Sequence, residues 1–211
     1  MKKPTMSKVI RRIPRTRLAV VSLMFLLVYL LLPQPSRADG PIEQVRATLD
    51  KVLIIVRSPN LKSAAQKEDL RARLAEVIYP RFDFVEMAKR SLGPHWARRT
   101  ADEQREFVKI FAGLLGRSYA DTIESYTSQK ILYTREREDQ NYAEVDTKIV
   151  TENREQLSIN YKLHSVDKEW KVYDLVIENI SLVNNYRSQF DRVIARSSFE
   201  DLVRLIKEKQ S

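Results

Sequence analysis

Few side chains in this sequence have a type and spacing that could perform catalysis or hold a metal ion. The two histidines, His95 and His164, lie far apart without ligand spacing, and no second acid is spaced to pair with Asp174. Cysteine is absent, and so are the HExxH, P-loop, GxSxG, CxxC and GxGxxG patterns. We therefore expect no enzyme, no metal site and no cofactor. The alternative left open is a small α+β hydrolase or isomerase with Asp174 or His95 as its base.

Two other features have simple structural interpretations. His164 lies on the polar side of a predicted strand, so we expect its side chain to be solvated. Gly113 and Gly116 stand three residues apart within an apolar helical pattern. This spacing favours close packing of that helix against a neighbour over a nucleotide-clamping loop.

The positive charge of the chain is concentrated at its amino terminus. The 211 residues include 37 basic and 28 acidic ones, which gives a formal net charge of +9 at pH 7. Residues 1–38 hold eight basic residues and no acid, so the remainder has 29 basic and 28 acidic residues and a net charge of +1. A nearly neutral body releases few counterions from a polyanion, so we expect no nucleic-acid partner and only weak attraction to anionic membranes.

The first 38 residues have the pattern of an export signal. A basic segment, 1–17, precedes an apolar segment, 18–32, and Ser36 and Ala38 place small residues at the −3 and −1 positions of a cleavage site. We expect cleavage after Ala38, which leaves residues 39–211 as one exported domain. The alternative is an uncleaved anchor, although the apolar segment is shorter than the roughly 20 residues that span a bilayer.

Capping residues and apolar spacing predict the helices of the remaining chain. Asp83 and Glu86 have the reciprocal spacing of a helix cap. Thr100 and Glu103 form a capping box before the longest apolar helical pattern. Together with the other periodic segments, these signals predict helices at 41–57, near 64–79, after Asp83, from Thr100 to Tyr126, from Tyr186 to Ile194 and after Ser198.

Between the two groups of helices the apolar period becomes that of a β-strand. Apolar and polar residues alternate in 131–133, 143–149 and 157–163, which is typical of half-buried antiparallel strands. The segment 170–177 is apolar on both faces, as in a strand that is covered on both sides. The pattern predicts an α+β fold, with helices packed on one curved four-stranded antiparallel sheet and an apolar cleft between the layers.

The phases of these helices and strands select the residues that would line such a cleft. A closely packed core would have the same pattern, so that interpretation stays open. The fourth strand could also face the other way, with Tyr173, Leu175 and Ile177 toward the helices. The candidate lining residues are Tyr119, Tyr126, Val145, Ile149, Tyr161, Leu163, Trp170 and Val172.

Five segments of the chain resemble the MlaC family of periplasmic phospholipid-binding proteins, once called toluene-tolerance auxiliary proteins. They occur in the family's order, and the resemblance extends over about residues 41–209. The segments are FDFVEMAKRSLGPHW (82–96), EQREF (103–107), LGRSY (115–119), WKVYD (170–174) and ISLVNNYRSQF (180–190). The resemblance implies a soluble carrier that holds the acyl chains of a glycerophospholipid, its cargo, between helices and sheet.

The resemblance also implies a compartment and partners. Members of this family exchange lipid in the Gram-negative periplasm with an outer-membrane lipoprotein-porin complex and an inner-membrane MCE-domain ABC transporter complex, and they maintain the lipid asymmetry of the outer membrane. We expect this chain to act as a monomer. The alternative from another class is a ligand-free envelope adaptor, whose helices bind membrane proteins without a cargo.

The polar segment 181–190 is a candidate contact for a lipid headgroup or a docking partner. Arg187, Asn184 and Asn185 are the residues of that site. The alternative is structural, with Ser or Asn capping the following helix and Arg187 paired with a local carboxylate.

Overall fold

The helices lie close to their predicted bounds. A computed structural model describes residues 39–57, 64–151 and 153–209, so the predicted export signal and its cleavage at Ala38 lie outside the described residues. No helix within these ranges is both long and apolar enough to cross a membrane. The helices are α1 (Pro41–Val56), α2 (Ala64–Ile78), α3 (Phe84–Leu92), α4 (Ala101–Glu124), α5 (Leu182–Arg196) and α6 (Phe199–Glu208), with short 3-10 helices at Tyr79–Arg81 and Gly93–Arg98.

Side-chain caps fix the first residues of four helices. Asp83 accepts a hydrogen bond from the backbone N–H of Glu86 at 2.9 Å, and Thr100 and Glu103 form the predicted capping box at the start of α4. Ser181 and Ser198 cap α5 and α6 in the same way. Each cap satisfies a backbone donor that the first helical turn leaves free, which typically stabilises the helix by about 1 kcal/mol.

The strands form one antiparallel sheet in the order β1-β2-β3-β4-β5. The sheet matches the prediction in class and differs by one short strand, because residues 180–181 pair with the end of β4. The strands are β1 (Lys130–Asp139), β2 (Tyr142–Val150), β3 (Gln156–Val166), β4 (Glu169–Ile177) and β5 (Ile180–Ser181).

A bulge in β4 explains why this strand is apolar on both faces. The register between β3 and β4 shifts at Lys162 and Leu163, so Tyr173 is the extra residue on β4. An extra residue reverses the alternation of side chains beyond it. Val172 before the bulge and Leu175 after it therefore pack against the same cluster.

The hairpins form without glycine. The two central residues of the β3–β4 turn, Asp167 and Lys168, and of the β4–β5 turn, Glu178 and Asn179, all have positive φ between 46° and 67°. This left-handed pair is the geometry of the tight turns that match the twist of antiparallel strands.

Buried apolar residues form three clusters in the described residues. The helical core joins α3, α4, α5 and α6 and contains Phe107, Phe111, Phe190 and Phe199. The sheet core joins Val45 of α1 to the inner face of β2, β3 and β4. The hairpin core joins α1 to α2 through Val52, Ile55, Val56, Leu70 and Leu74.

Candidate functional site

A cavity of about 580 Å³ lies between α2 and α4. Its volume falls within the range of roughly 300–1,000 Å³ that ligand sites usually have. Its lining is mostly apolar, and it continues to the start of α3, the middle of β4 and the first residue of α5. The lining residues are Glu68, Arg71, Leu74, Ala75, Ile78, Tyr79, Phe82, Phe84, Met87, Gly113, Leu115, Gly116, Arg117, Tyr119, Ala120, Ile123, Leu175 and Leu182.

The cavity exists because α4 presents small side chains on the face that it turns toward α2. Gly113, Gly116, Ala120 and Ile123 lie on this face and line the cavity. Among the described residues, a Cβ atom on Gly116 would meet only the hydroxyl of Tyr79, at 3.0 Å. The expected close helix packing at Gly113 and Gly116 is therefore wrong at Gly116, because open space and one phenol lie where a neighbouring helix would be.

An ion-pair cluster connects α2 to α4 beside the cavity. Arg71 of α2 donates from Nε to Glu124 at 2.7 Å and from Nη2 to Asp121 at 2.9 Å. The hydrogen bond to Glu124 is the main reason that the pKa of Arg71 is raised. The Glu124 side chain is only 11% exposed, so this contact is the more shielded of the two. The cluster holds the two walls of the cavity at a fixed separation.

One side of the cavity is open to solvent. We call this side the mouth and define it by the exposed lining residues Glu68, Tyr79, Gly116 and Arg117. The opposite wall is buried and apolar, with Met87 and Leu182 at most 5% exposed. An amphiphile with an apolar body and a polar end fits this arrangement.

The candidate lining residues from the sequence divide between the cavity and the sheet core. Tyr119 lines the cavity and is half-buried, and burial raises the pKa of its phenol. Tyr126 packs against the sheet core, where burial likewise raises its pKa. The strand residues are buried in the sheet core beneath α1, and they are Val145, Ile149, Tyr161, Leu163, Trp170 and Val172.

Several of the residues that line the cavity could not be recognised as a group from the sequence. The α2 wall comes from Leu74 and Ile78, which have the same helical spacing as ordinary core residues. The small residues of α4 could have indicated the cavity, because each of two glycines in the interior of one helix lowers its stability by about 0.5–1 kcal/mol. Space for a ligand is a reason to retain them.

The polar residues proposed for a headgroup or docking role lie on the exposed surface of α5, and none of them lines the cavity. The backbone N–H of Asn184 donates to the Ser181 cap at 3.1 Å, and the Asn185 side chain accepts from Gln189 at 3.3 Å. Arg187 forms no ion pair with any described residue. Its guanidinium lies against Gly93, where a Cβ would be 2.8 Å from Nε and where φ is +53°.

The residues of the enzyme alternative are used structurally. Asp174 is buried and accepts from Ser181 Oγ at 2.6 Å and from the backbone N–H of Val183 at 3.0 Å, so its carboxylate organises the start of α5. His95 contacts Asp191 at 2.9 Å. Neither residue lines the cavity. In the parts of the chain that the structure describes, no group of three His, Asp or Glu side chains is placed to hold a metal ion.

His164 is not solvated as expected. Its Nε2 lies 2.9 Å from the carboxylate of Asp83, and its side chain is 18% exposed. The ring also packs edge-on against Tyr173, the bulged residue of β4. The segment before α3 pairs with β4, where Phe82 bridges to Val172, and the Asp83 side chain reaches His164 from there. The alternation of a single strand does not reveal this contact.

Comparisons with known proteins agree on one family. The profile of the family described as MlaC protein matches residues 46–208. The intermembrane phospholipid transport system binding protein MlaC of Haemophilus influenzae is 22% identical over 195 residues, which cover 90% of this chain and 91% of that protein. The toluene tolerance protein ttg2D of Pseudomonas putida is 22% identical over 162 residues, or 76% of this chain and 75% of that protein.

A solved structure has the same fold. The phospholipid-binding protein of Ralstonia solanacearum, determined in complex with a phospholipid, superposes with a TM-score of 0.69 at 26% sequence identity. The superposition covers 80% of this chain and 95% of the Ralstonia structure.

Proposed function

We propose that this chain, which belongs to the MlaC family, is a phospholipid carrier that holds acyl chains in the cavity between α2 and α4. The single observation that carries the proposal is an apolar cavity with a polar mouth on the fold of a phospholipid-bound relative. The chain is a lipid-binding transport protein rather than an enzyme, as the names of its relatives indicate.

The physical task of such a carrier needs a lining and no catalytic group. Moving an acyl chain into water costs about 0.8 kcal/mol per methylene, so two chains of ordinary length face a cost of roughly 20 kcal/mol or more. A carrier lowers this cost by replacing the bilayer interior with its own apolar wall. Release then needs a partner that favours an open state of the cavity.

The carrier works in the periplasm, between complexes of the two membranes. A leader at 1–38 directs export to the periplasm, and residues 39–211 form the working domain, which acts as a monomer. This domain exchanges lipid between an outer-membrane lipoprotein-porin complex and an inner-membrane MCE-domain ABC transporter complex, and it maintains outer-membrane lipid asymmetry. Support comes from the leader pattern and from the names of the relatives.

The candidate residues from the sequence have two roles in this carrier. Tyr126 and the six strand residues of the sheet core would line a deeper part of the site once lipid separates α1 from the sheet. Support comes from continuity, because Leu175 and Phe82 border both the cavity and the sheet core. Arg187, Asn184 and Asn185 form an exposed polar surface on α5 that is available to a docking partner.

A variant that fills the cavity tests the proposal. Gly113→Leu places a branched side chain into the cavity and replaces the poorest helix former other than proline, so the protein should melt at an equal or higher temperature. Native mass spectrometry of protein purified without detergent should show a diacyl phospholipid mass on the wild type and a strong loss of it on Gly113→Leu. Ser118→Leu, on the exposed side of α4, is the matched control and should keep the lipid.

Two results would contradict the proposal. One is a wild-type protein that remains free of lipid after gentle extraction, which would favour a ligand-free adaptor. The other is a Gly113→Leu protein that carries as much lipid as the Ser118→Leu control.

A further inference from the structure

The mouth of the cavity displays one cation and one anion on opposite walls, and neither forms a hydrogen bond or salt bridge with a described residue. Arg117 belongs to α4 and Glu68 to α2. We propose that the mouth binds the headgroup of a zwitterionic glycerophospholipid, with the phosphodiester at Arg117 and Tyr79 and a headgroup ammonium at Glu68. This inference rests on the proposed function and names the class of its cargo.

The two arginines that line the cavity differ in what they contact. Arg71 is hydrogen-bonded to Glu124 and Asp121, so its charge is already neutralised. Arg117 is exposed and forms no hydrogen bond or salt bridge with any residue in 39–57, 64–151 or 153–209. A guanidinium offers several donors in a planar fork that matches phosphate oxygens. Arg117 is therefore the cation at the mouth that is available to a ligand.

Tyr79 provides a second donor at the mouth. Its ring is held edge-on against Phe84, with ring centroids 4.9 Å apart, and its hydroxyl lies over Gly116, next to Arg117 in the chain. The residue is 40% exposed, and its hydroxyl forms no hydrogen bond with a described residue. Glycine at 116 leaves room for this phenol, because a Cβ there would be 3.0 Å from the oxygen.

Glu68 gives the mouth its selectivity. It lies one helical turn before Arg71 on α2, it forms no hydrogen bond or salt bridge with a described residue, and its charge contributes to the raised pKa of Arg71. A headgroup with both a phosphodiester and an ammonium matches Arg117 and Glu68 together. A headgroup that carries only the phosphodiester charge leaves Glu68 unpaired and is repelled by it.

Competitive loading tests this assignment. The purified protein is stripped of lipid and equilibrated with vesicles that contain equal amounts of phosphatidylethanolamine and phosphatidylglycerol with identical acyl chains, and mass spectrometry identifies the bound lipid. We expect about threefold enrichment of phosphatidylethanolamine on the wild type, since solvent-exposed charge pairs have modest strength. Glu68→Gln should bring the ratio close to one. Glu76→Gln, at an exposed position of α2 that does not line the cavity, is the control.

A second variant tests the phosphodiester contact. Arg117→Gln should lower the loading of both lipids severalfold without changing the melting temperature of the lipid-free protein, because the side chain is exposed and forms no ion pair with a described residue. Equal ratios on the wild type and Glu68→Gln, or enrichment of phosphatidylglycerol, would overturn the headgroup assignment while bound lipid still supported the carrier. A wild type that takes up neither lipid would instead overturn the proposed function.

Discussion

Two opposite faces of helix α4 belong to one apolar pattern in the sequence, but one face is closely packed and the other borders a cavity. On one face Phe107 and Phe111 are fully buried, and each packs edge-on against Phe190 with ring centroids 5.6 and 5.5 Å apart. On the other face Gly113, Gly116 and Ala120 border a cavity. The periodicity therefore decides which way a helix faces, whereas side-chain volume decides whether the space in front of it is filled.

The two faces also differ in what would stabilise them. The aromatic face already has the close packing of a protein interior, so added volume there would create strain. The face with small residues borders the cavity and therefore makes fewer van der Waals contacts, and a bound apolar chain would supply the missing contacts. Ligand that binds the folded state alone raises its stability by mass action. The aromatic face therefore stabilises the protein without ligand. At the open face, the stability of the protein depends on whether lipid is bound.

The largest expected effect comes from truncation on the aromatic face. Phe107→Ala removes a fully buried ring that contacts Phe111, Phe190 and Phe199, and it should lower the free energy of unfolding by about 3 to 5 kcal/mol. Urea denaturation followed by circular dichroism measures the change. Gly113→Leu on the same helix should leave stability unchanged or raise it. A loss below about 1 kcal/mol for Phe107→Ala would mean that the two faces are equally loosely packed.

A smaller effect should appear in the sheet core at alkaline pH. Burial raises the pKa of Tyr161, so the folded protein keeps a phenolic proton that the unfolded chain loses above about pH 10. The free energy of unfolding should therefore fall as the pH rises above about 10, by up to about 1.4 kcal/mol per pH unit from this residue. Denaturant titrations between pH 8 and 11 measure the slope.

Tyr161→Phe should flatten that alkaline slope, and Tyr126→Phe, at a more exposed position, should flatten it less. The comparison also tests how tightly the sheet core is closed. If the slope is the same in the wild type and in Tyr161→Phe, solvent reaches the phenol, and the sheet core is then an open region like the cavity.

Much of the fold follows from local sequence rules, and the site depends on what those rules omit. Asp83 and Thr100 determine helix starts through hydrogen bonds to residues three positions on, so sequence alone predicts them. The bulge at Tyr173 depends on pairing with β3, and the pairing of His164 with Asp83 depends on a segment 81 residues away. Alternation within one strand carries no information about either contact.

The position of the cavity was not predicted, for a related reason. Apolar phase predicted a cleft between helices and sheet, and the structure has a cavity between two helices to which the sheet contributes only Leu175. Gly113 and Gly116 were the informative residues, but a pair of glycines is compatible with a close helix contact as well as with an empty space. Only the position of α2 distinguishes a close helix contact from an empty space. That position is fixed by Arg71 and by the hairpin core.

The smallest expected effect on stability concerns the ion pairs of Arg71, which set the distance between α2 and the open face of α4. Arg71→Gln removes the ion pairs to Glu124 and Asp121, which lie partly in solvent, so the free energy of unfolding should fall by less than about 1 kcal/mol. Lipid transfer between donor and acceptor vesicles should nevertheless accelerate, because α2 loses its hydrogen bonds to α4 and the cavity opens more readily. Fluorescence transfer of a labelled phospholipid measures the rate, and Arg73→Gln, at an exposed position of α2 outside the cavity lining, is the matched control. Equal transfer rates for the two variants would show that α2 is not the wall that moves. A stability loss as large as that of Phe107→Ala would show that the open face stabilises the fold as much as the aromatic face does.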